Sequence, residues 1–290
     1  MGAGDPFWDD GTVLTYDVVD VFAEKPFAGN QLAVVHGAAG LSDEQLLTLA
    51  REFNFSETTF PTPIAGDRYS VRIFTPGGEI PFAGHPTLGT AWVLRERGDL
   101  DSAQVVQECA AGEVGVRFVE DAVELSAVPR DLVGPLDHDV VAGVLHAVGL
   151  TAEDRDGDAW LAGTGLTFAH VPVRDDAVAR AGIARTLPHL PPTGDPIGGI
   201  NLYSVTADLE VHSRVFVPDL AVPEDPATGS AAAGLGMALR ARGLAADGDR
   251  YRIRQGIEMG RPSRLLGTVG ERISVAGQVH PIARGEIRVP

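Results

Sequence analysis

Hydrophobic and polar positions divide the chain into many short extended runs and a few helices. Residues 15–22, β-branched and aromatic, predict a strand. Pro26 and Gly29 break it, and 31–36 reads as its hairpin partner. Ser42 with Gln45 three residues later is a capping box. It predicts a helix with Leu46, Leu47, Leu49 and Ala50 on its buried side, ended by Arg51 and Glu52, with Asn54 as a left-handed exit. Residues 55–60 and 69–74 read as extended, and 75–82, with Gly77-Gly78, as a loop. Pro86 suits the first turn of a helix, where a missing N–H costs nothing; this helix runs to about Arg97 and stops before Gly98. Short strands follow at 104–109, 115–118 and 123–125, then a Pro/Gly-broken linker at 128–137 and a helix at 138–148. The second half predicts strands near 167–173, 201–206 and 210–217, with loops at 188–196 and 218–229. A helix rich in small residues spans 230–242, with Arg240 and Arg242 at the negative end of its dipole and Gly243 after it. Strands near 251–254, 263–269, 272–276 and 286–289 complete the pattern.

One motif occurs twice, about half a chain apart. Phe74-Thr75-Pro76 precedes Gly84-His85-Pro86-Thr87-Leu88-Gly89, and Phe216-Val217-Pro218 precedes Gly229-Ser230-Ala231-Ala232-Ala233-Gly234. Each copy reads as strand, loop and glycine-opened helix. The repeat predicts two similar lobes, each with a buried helix whose N-terminus opens on a shared cleft. Gly and Pro also punctuate α/β chains without any repeat, so the lobes are an expectation.

Composition narrows the function. Asp and Glu number 40 against 23 Lys and Arg, a net charge of −17, which opposes nucleic acid and anionic membrane as partners. The 44% hydrophobic content supports a true core, and a chain of 290 residues buries roughly 75% of its unfolded surface. No apolar run approaches a membrane span. Residues 1–10 are acidic and lack the features of a signal peptide, and Pro6 stands where a myristoylation signal needs Ser or Thr. Cys109 is the single cysteine, so intrachain disulfides and cysteine-based zinc sites are excluded, and a cytoplasmic location fits.

Three residues are candidates for chemistry. Glu57, on an extended segment, would share a face with Phe55 and be partly desolvated, which raises a carboxyl toward the acid/base range. The same pattern also describes a surface glutamate at a strand edge. His85 falls at the predicted N-cap of the Pro86 helix, where free N–H groups and the dipole attract anions, or where it simply caps its own helix. Asp225 leads into the second helix start and could act as acid/base or orient His85; it also reads as an ordinary turn aspartate before Pro226. Ser230 and the Gly229 amide could bind a carboxylate. Phosphate loops, dinucleotide fingerprints, His-Glu-x-x-His and the serine-hydrolase elbow are all missing from the sequence.

The chain resembles the PhzF-type phenazine-biosynthesis isomerase family, within the diaminopimelate epimerase-like fold. The resemblance rests on Asp20-Val21-Phe22, Phe27-Ala28-Gly29-Asn30, Ser56-Glu57-Thr58, Phe82-Ala83-Gly84-His85-Pro86-Thr87-Leu88-Gly89, Asp225-Pro226-Ala227-Thr228-Gly229-Ser230 and the run from Gln255 to Ser263. It implies an α+β fold of two pseudo-symmetric lobes, each a β-sheet wrapped around a central helix. Residues 1–130 would form the N-terminal lobe and 131–290 the C-terminal lobe, with the last strand packing back on the first.

It also implies cofactor-independent proton transfer between the lobes and a homodimer. Epimerase relatives use one cysteine per lobe; Ala83 and Thr228 stand in those places here. The resemblance makes Glu57, His85 and Asp225 catalytic, with Gly84, Gly229, Ser230, Thr228 and Asn30 binding a small carboxylate. Gln31 departs from the small residue expected after Gly-Asn and is a candidate for altering substrate choice. The expected function is an isomerase moving a proton and double bond in an amino-acid-derived or aryl-carboxylate-like metabolite. The alternatives are an amino-acid epimerase or racemase, and a non-catalytic binding protein of the same fold.

Overall fold

The computed structural model describes residues 12–64, 66–182, 186, 188–218 and 223–290. The acidic stretch 1–10 and part of the predicted loop 218–229 lie outside the described residues. The first half runs β1 (Val13–Val21), β2 (Asn30–Val35), α1 (Asp43–Phe53), β3 (Glu57–Pro63), β4 (Arg68–Thr75), β5 (Gly78–Ile80), α2 (Gly84–Glu96), β6 (Gln104–Cys109), β7 (Gly112–Val119) and β8 (Ala122–Ala127). The second runs β9 (Leu132–Val133), α3 (His138–Ala147), β10 (Trp160–Gly163), β11 (Thr167–Pro172), α4 (Asp175–Arg180), β12 (Ile197–Val205), β13 (Glu210–Phe216), β14 (Glu224–Asp225), α5 (Gly229–Ala241), β15 (Arg250–Gln255), β16 (Ser263–Thr268) and β17 (Ile273–Arg288).

Strand pairing repeats between the halves. β1–β2 is antiparallel, β2–β3 parallel across α1, β3–β4 antiparallel, β4–β6 parallel across α2, and β6–β7–β8 antiparallel. β10–β11 is antiparallel, β11–β12 parallel across α4, β12–β13 antiparallel, β13–β15 parallel across α5, and β15–β16–β17 antiparallel. The closing strands are exchanged. After pairing with β8 over 273–278, β17 continues over 279–288 along β1 and shuts the first lobe around α2. Just beyond β8, β9 pairs with β10 in the second lobe.

The sequence explains why α2 and α5 lie inside. Neither has a polar face over its first three turns, and a helix apolar all round is stable only when surrounded. In α5 nearly every residue from Gly229 to Leu239 is buried. Small residues let the sheet close tightly: a Cβ on Gly234 would meet His170 Nε2 at 2.6 Å and the Ala162 carbonyl at 2.7 Å. α1, by contrast, is amphipathic and packs outside, with Leu46, Leu49 and Ala50 in one cluster with Val35, Phe60 and Phe74. Its Ser42/Gln45 capping box forms, and Asn54 leaves it at φ 53°.

Several sequence readings need correction. The predicted loops 75–82 and 218–229 and the predicted linker 128–137 contain the short strands β5, β14 and β9, too brief to carry an alternating pattern. β10 and α4 had no predicted counterpart. The strands expected near 272–276 and 286–289 are one strand, β17, of 16 residues. Pro281 interrupts its pattern; it sits beside a register shift opposite Val18/Val19, where a missing N–H is tolerated. The N-cap of α2 is Ala83, which places His85 inside the first turn.

Asp17 ties the closing strand down. Its carboxylate meets Arg284 of β17 at 2.6 Å, His36 at 2.9 Å and Arg97, after α2, at 3.1 Å. Burial alone would raise its pKa, but hydrogen bonds from Arg284 and His36 outweigh burial and hold it below the usual carboxylate range. Its contribution is therefore complete above pH 4 and fades as acid titrates the folded carboxylate. Asp17→Ala is expected to cost about 1–3 kcal/mol at pH 7, the usual contribution of hydrogen bonds to a charged group. Urea midpoints at pH 7 and pH 3 check this: the deficit should shrink at the lower pH.

Among the described residues, no helix is long and apolar enough to cross a membrane, and no cluster of His, Cys, Asp and Glu side chains is arranged for a metal ion.

Candidate active site

The starts of α2 and α5 meet at the junction of the lobes. A Cβ on Gly84 would lie 3.5 Å from the Gly229 Cα, so the two first turns nearly touch. First-turn N–H groups lack intrahelical partners and, with the helix dipoles, favour an anion. Neither N-cap residue, Ala83 or Thr228, caps its helix with a side chain.

Glu57 opens β3 beside these helix starts. Its desolvation does not come from alternation with Phe55, as the sequence suggested. Asn54 turns left-handed and the strand begins only at Glu57. The side chain is 13% exposed, and Glu57 Oε2 lies 3.5 Å from His85 Nε2. Both atoms are buried without a hydrogen-bond partner. Burial pushes the Glu57 carboxyl up to about 7, while the Ser56 hydroxyl pulls the other way. Burial takes the His85 ring down to about 4, against the opposing pull of the Asp225 charge and the Gln31 carbonyl. At neutral pH this contact therefore joins a neutral imidazole to a half-titrated carboxyl, and it is not a salt bridge.

Asp225 lies across the junction on β14. Burial and then the Glu57 charge push its carboxyl up to about 6, while His85, Thr228 and Asn30 oppose. Both oxygens are engaged: Oδ1 accepts from Asn30 Nδ2 at 2.8 Å and Oδ2 from Thr228 Oγ1 at 2.6 Å. Asn30 Nδ2 also donates to the Ala227 carbonyl at 3.1 Å and lies 3.3 Å from His85 Nδ1. The Asn30 carbonyl oxygen accepts from Ser56 Oγ at 3.1 Å. Thus Glu57, His85, Asp225, Asn30 and Thr228 come together, with Gly84, Gly229 and Ser230 in the adjoining first turns. Gln31, the neighbour of Asn30, is exposed.

Two supporting residues escaped the sequence reading. Gln255, buried at the end of β15, donates to the Asp225 carbonyl at 2.7 Å and to Thr228 Oγ1 at 3.1 Å. Arg261 reaches the other lobe, bonding the carbonyls of Gly29 at 3.0 Å and Ala28 at 2.7 Å and the Asp20 carboxylate at 2.5 Å. Gly29 takes φ 68°, and a Cβ there would strike the Val21 carbonyl at 2.3 Å, so only glycine lets the chain turn into Asn30. The Gln255-to-Ser263 run was noticed in the sequence, but nothing local marks which of its members face the junction.

Comparison with known proteins identifies the family. The family model for phenazine biosynthesis-like proteins matches residues 19–130 and 162–285. The chain is similar to the trans-2,3-dihydro-3-hydroxyanthranilate isomerase of Pseudomonas aeruginosa, 34% identical over 279 residues, covering 93% of this chain and 98% of the relative. It is similarly close to an isomerase of Pasteurella multocida, 34% identical over 287 residues and covering 96% of each. Among solved structures, a PhzF-family phenazine biosynthesis protein of Bacillus anthracis matches with TM-score 0.80 at 23% identity, covering 95% of this chain and 99% of that one. A hydroxyproline epimerase of Agrobacterium vitis matches with TM-score 0.64 at 14% identity, covering 96% and 93%. The last two are likenesses of fold alone.

Proposed function

Because the chain belongs to the phenazine biosynthesis-like family and is an isomerase of the PhzF type, we propose that it moves a proton and a double bond within a small carboxylated metabolite, with Glu57 carrying the proton. The observation that supports this most is the Glu57 carboxyl: buried, raised to about 7, with Oε2 unpartnered at the junction of two helix starts. An acid/base works best when its pKa lies near the working pH, because it can then both take and return a proton.

In this reading the substrate carboxylate lies on the N–H groups around Gly84, Gly229 and Ser230. Glu57, ionised, removes a proton from a carbon next to the substrate π system. The C–H electron pair moves into that system, and the double bond shifts. The protonated Glu57 then delivers its proton to the far carbon. Helix-start N–H groups stabilise the charge that develops meanwhile. No group outside the chain and the substrate is required for atoms and charge to balance.

A two-base racemase fits less well. Ala83 has no proton to give, and the Thr228 hydroxyl is spent on Asp225 at 2.6 Å.

Heavy-water incubation tests the reading. The panel is small amino and aryl carboxylates, headed by trans-2,3-dihydro-3-hydroxyanthranilate. Proton NMR should show solvent deuterium entering one carbon of a turned-over compound, and no exchange with Glu57→Gln. Exchange that persists in the variant would remove Glu57 from the step. Replacing the carboxylate of a turned-over compound by its neutral amide should weaken binding at least about tenfold, since N–H bonds to a charged acceptor contribute roughly 1.5–3 kcal/mol each. Equal affinity for acid and amide would place recognition elsewhere in the molecule.

A further inference from the structure

Asn30 sits where four segments meet, and its side-chain amide is fully taken up by the protein. It is 2% exposed. The orientation of the amide is fixed by its surroundings. The Nδ2 side faces three acceptors: Asp225 Oδ1 at 2.8 Å, the Ala227 carbonyl at 3.1 Å and His85 Nδ1 at 3.3 Å. The Oδ1 side faces the Ser56 hydroxyl at 3.1 Å. Turning the amide over would set an oxygen lone pair against a carboxylate and a carbonyl, so this orientation is strongly preferred.

We propose that Asn30 is the positioning residue of this site: its amide holds His85 as the Nε2–H tautomer facing Glu57, and anchors Asp225 so that it does not carry the proton. The amide has two N–H groups for these three acceptors, so one N–H is shared with His85 Nδ1; a ring nitrogen that receives it keeps its lone pair, and the ring proton then resides on the other nitrogen. That nitrogen, Nε2, is the atom 3.5 Å from Glu57 Oε2. The Gln31 backbone carbonyl is the competing acceptor for a ring proton, and the tautomer measurement below decides between it and the arrangement set by Asn30. His85 thereby presents a neutral donor to Glu57, which steadies the ionised carboxylate before it takes the substrate proton. Asp225 cannot easily do likewise. One of its oxygens is held by Asn30 and the other by Thr228, and Gln255 holds its backbone carbonyl at 2.7 Å. Asn30 is thus turned inward, away from the substrate-binding role that the family resemblance suggested.

This inference rests on the reading of Glu57 as proton carrier, but its first test does not need a substrate. The full-length protein is labelled with ¹⁵N-histidine, and His85 is assigned by the disappearance of its signals in His85→Gln. Long-range ¹H–¹⁵N correlation at pH 8 should show His85 Nδ1 unprotonated and Nε2 protonated. Asn30→Leu, which removes the donors at similar size, should turn this into a mixture of tautomers. A proton on Nδ1 in the unsubstituted protein overturns the proposal whether or not the variant folds, and so does an unchanged tautomer in Asn30→Leu.

The second test uses a turned-over compound. Asn30→Leu should lower kcat at least about tenfold with KM within about threefold, as expected when a group that orients a catalytic residue is lost. A raised KM with unchanged kcat would make Asn30 a substrate ligand and overturn the proposal. If Glu57→Gln turns over normally, the proton-carrier reading fails, and the NMR result still stands or falls independently.

Discussion

Glu57→Gln is expected to lower turnover by about 10²–10⁴-fold, the usual effect of removing a positioned acid/base, and to make the folded chain more stable above pH 7. The second effect follows from the first residue's burial. Glu57 titrates near 7 when folded, against 4.5 for the exposed group. Below pH 4.5 both forms are protonated and folding costs nothing extra. Between 4.5 and 7 the unfolded carboxyl ionises first, and above 7 the folded protein carries the full burden of a desolvated charge. Glutamine has no charge to bury, so the gain should be about 1–3 kcal/mol at pH 8 and vanish below pH 4.5. Relief of Asp225, whose own carboxyl is raised partly by the Glu57 charge, acts in the same direction. Urea midpoints of both proteins from pH 4 to pH 8 measure it. A constant difference across that range would show that shape, and not charge, sets the effect.

Arg214→Met should destabilise the chain by about 3–5 kcal/mol, the cost of leaving one member of a buried ion pair without its partner. Arg214 on β13 holds Glu224 on β14 through two bonds, Nε at 2.8 Å and Nη2 at 2.9 Å, and its third nitrogen caps the Ala181 carbonyl after α4 at 2.5 Å. Arg214 is 6% exposed and Glu224 4%. The methionine variant strands an anion next in sequence to Asp225, so turnover should fall with stability. Adding Glu224→Leu removes that anion and should recover most of the lost stability, because a buried pair and its apolar replacement are often nearly equivalent. Denaturant unfolding of the single and double variants separates the two expectations. A single variant within 1 kcal/mol of the parent, which is well below the range for a broken buried pair, would mean that water reaches Glu224.

What could be read from the sequence was local, and what escaped it was not. The Ser42/Gln45 box, the left-handed Asn54 and the small-residue helix after Thr228 each carry their conformation in a few adjacent residues. The duplicated strand, loop and helix gave the paired helix starts. β17 was cut in two because Pro281 breaks an alternation that the pairing with β1 tolerates through a register shift. Glu57 was singled out for a reason the fold does not support, its alternation with Phe55, while its true environment comes from α2. Asn30 and Asp225 stand 195 positions apart, and only the folded chain sets their atoms at 2.8 Å. Gln255 and Arg261 were invisible as individuals for the same cause: a buried amide and a guanidinium aimed at carbonyls across the junction have no local signature.

The exchanged closing strands make the two lobes a single thermodynamic unit. Pulling β17 off β1 opens the first lobe along its whole length, and the same strand, over 273–278, is the partner of β8. Neither half can melt while the other stays shut, so calorimetry should give one transition whose van't Hoff and calorimetric enthalpies agree. Chains severed between β9 and α3 would each display a bare strand edge, the template for aggregation, and should regain solubility only when mixed. Two half-length chains lending each other their final strands would build the same architecture, which makes a swapped pair of identical halves a physically reasonable ancestor for the fused chain.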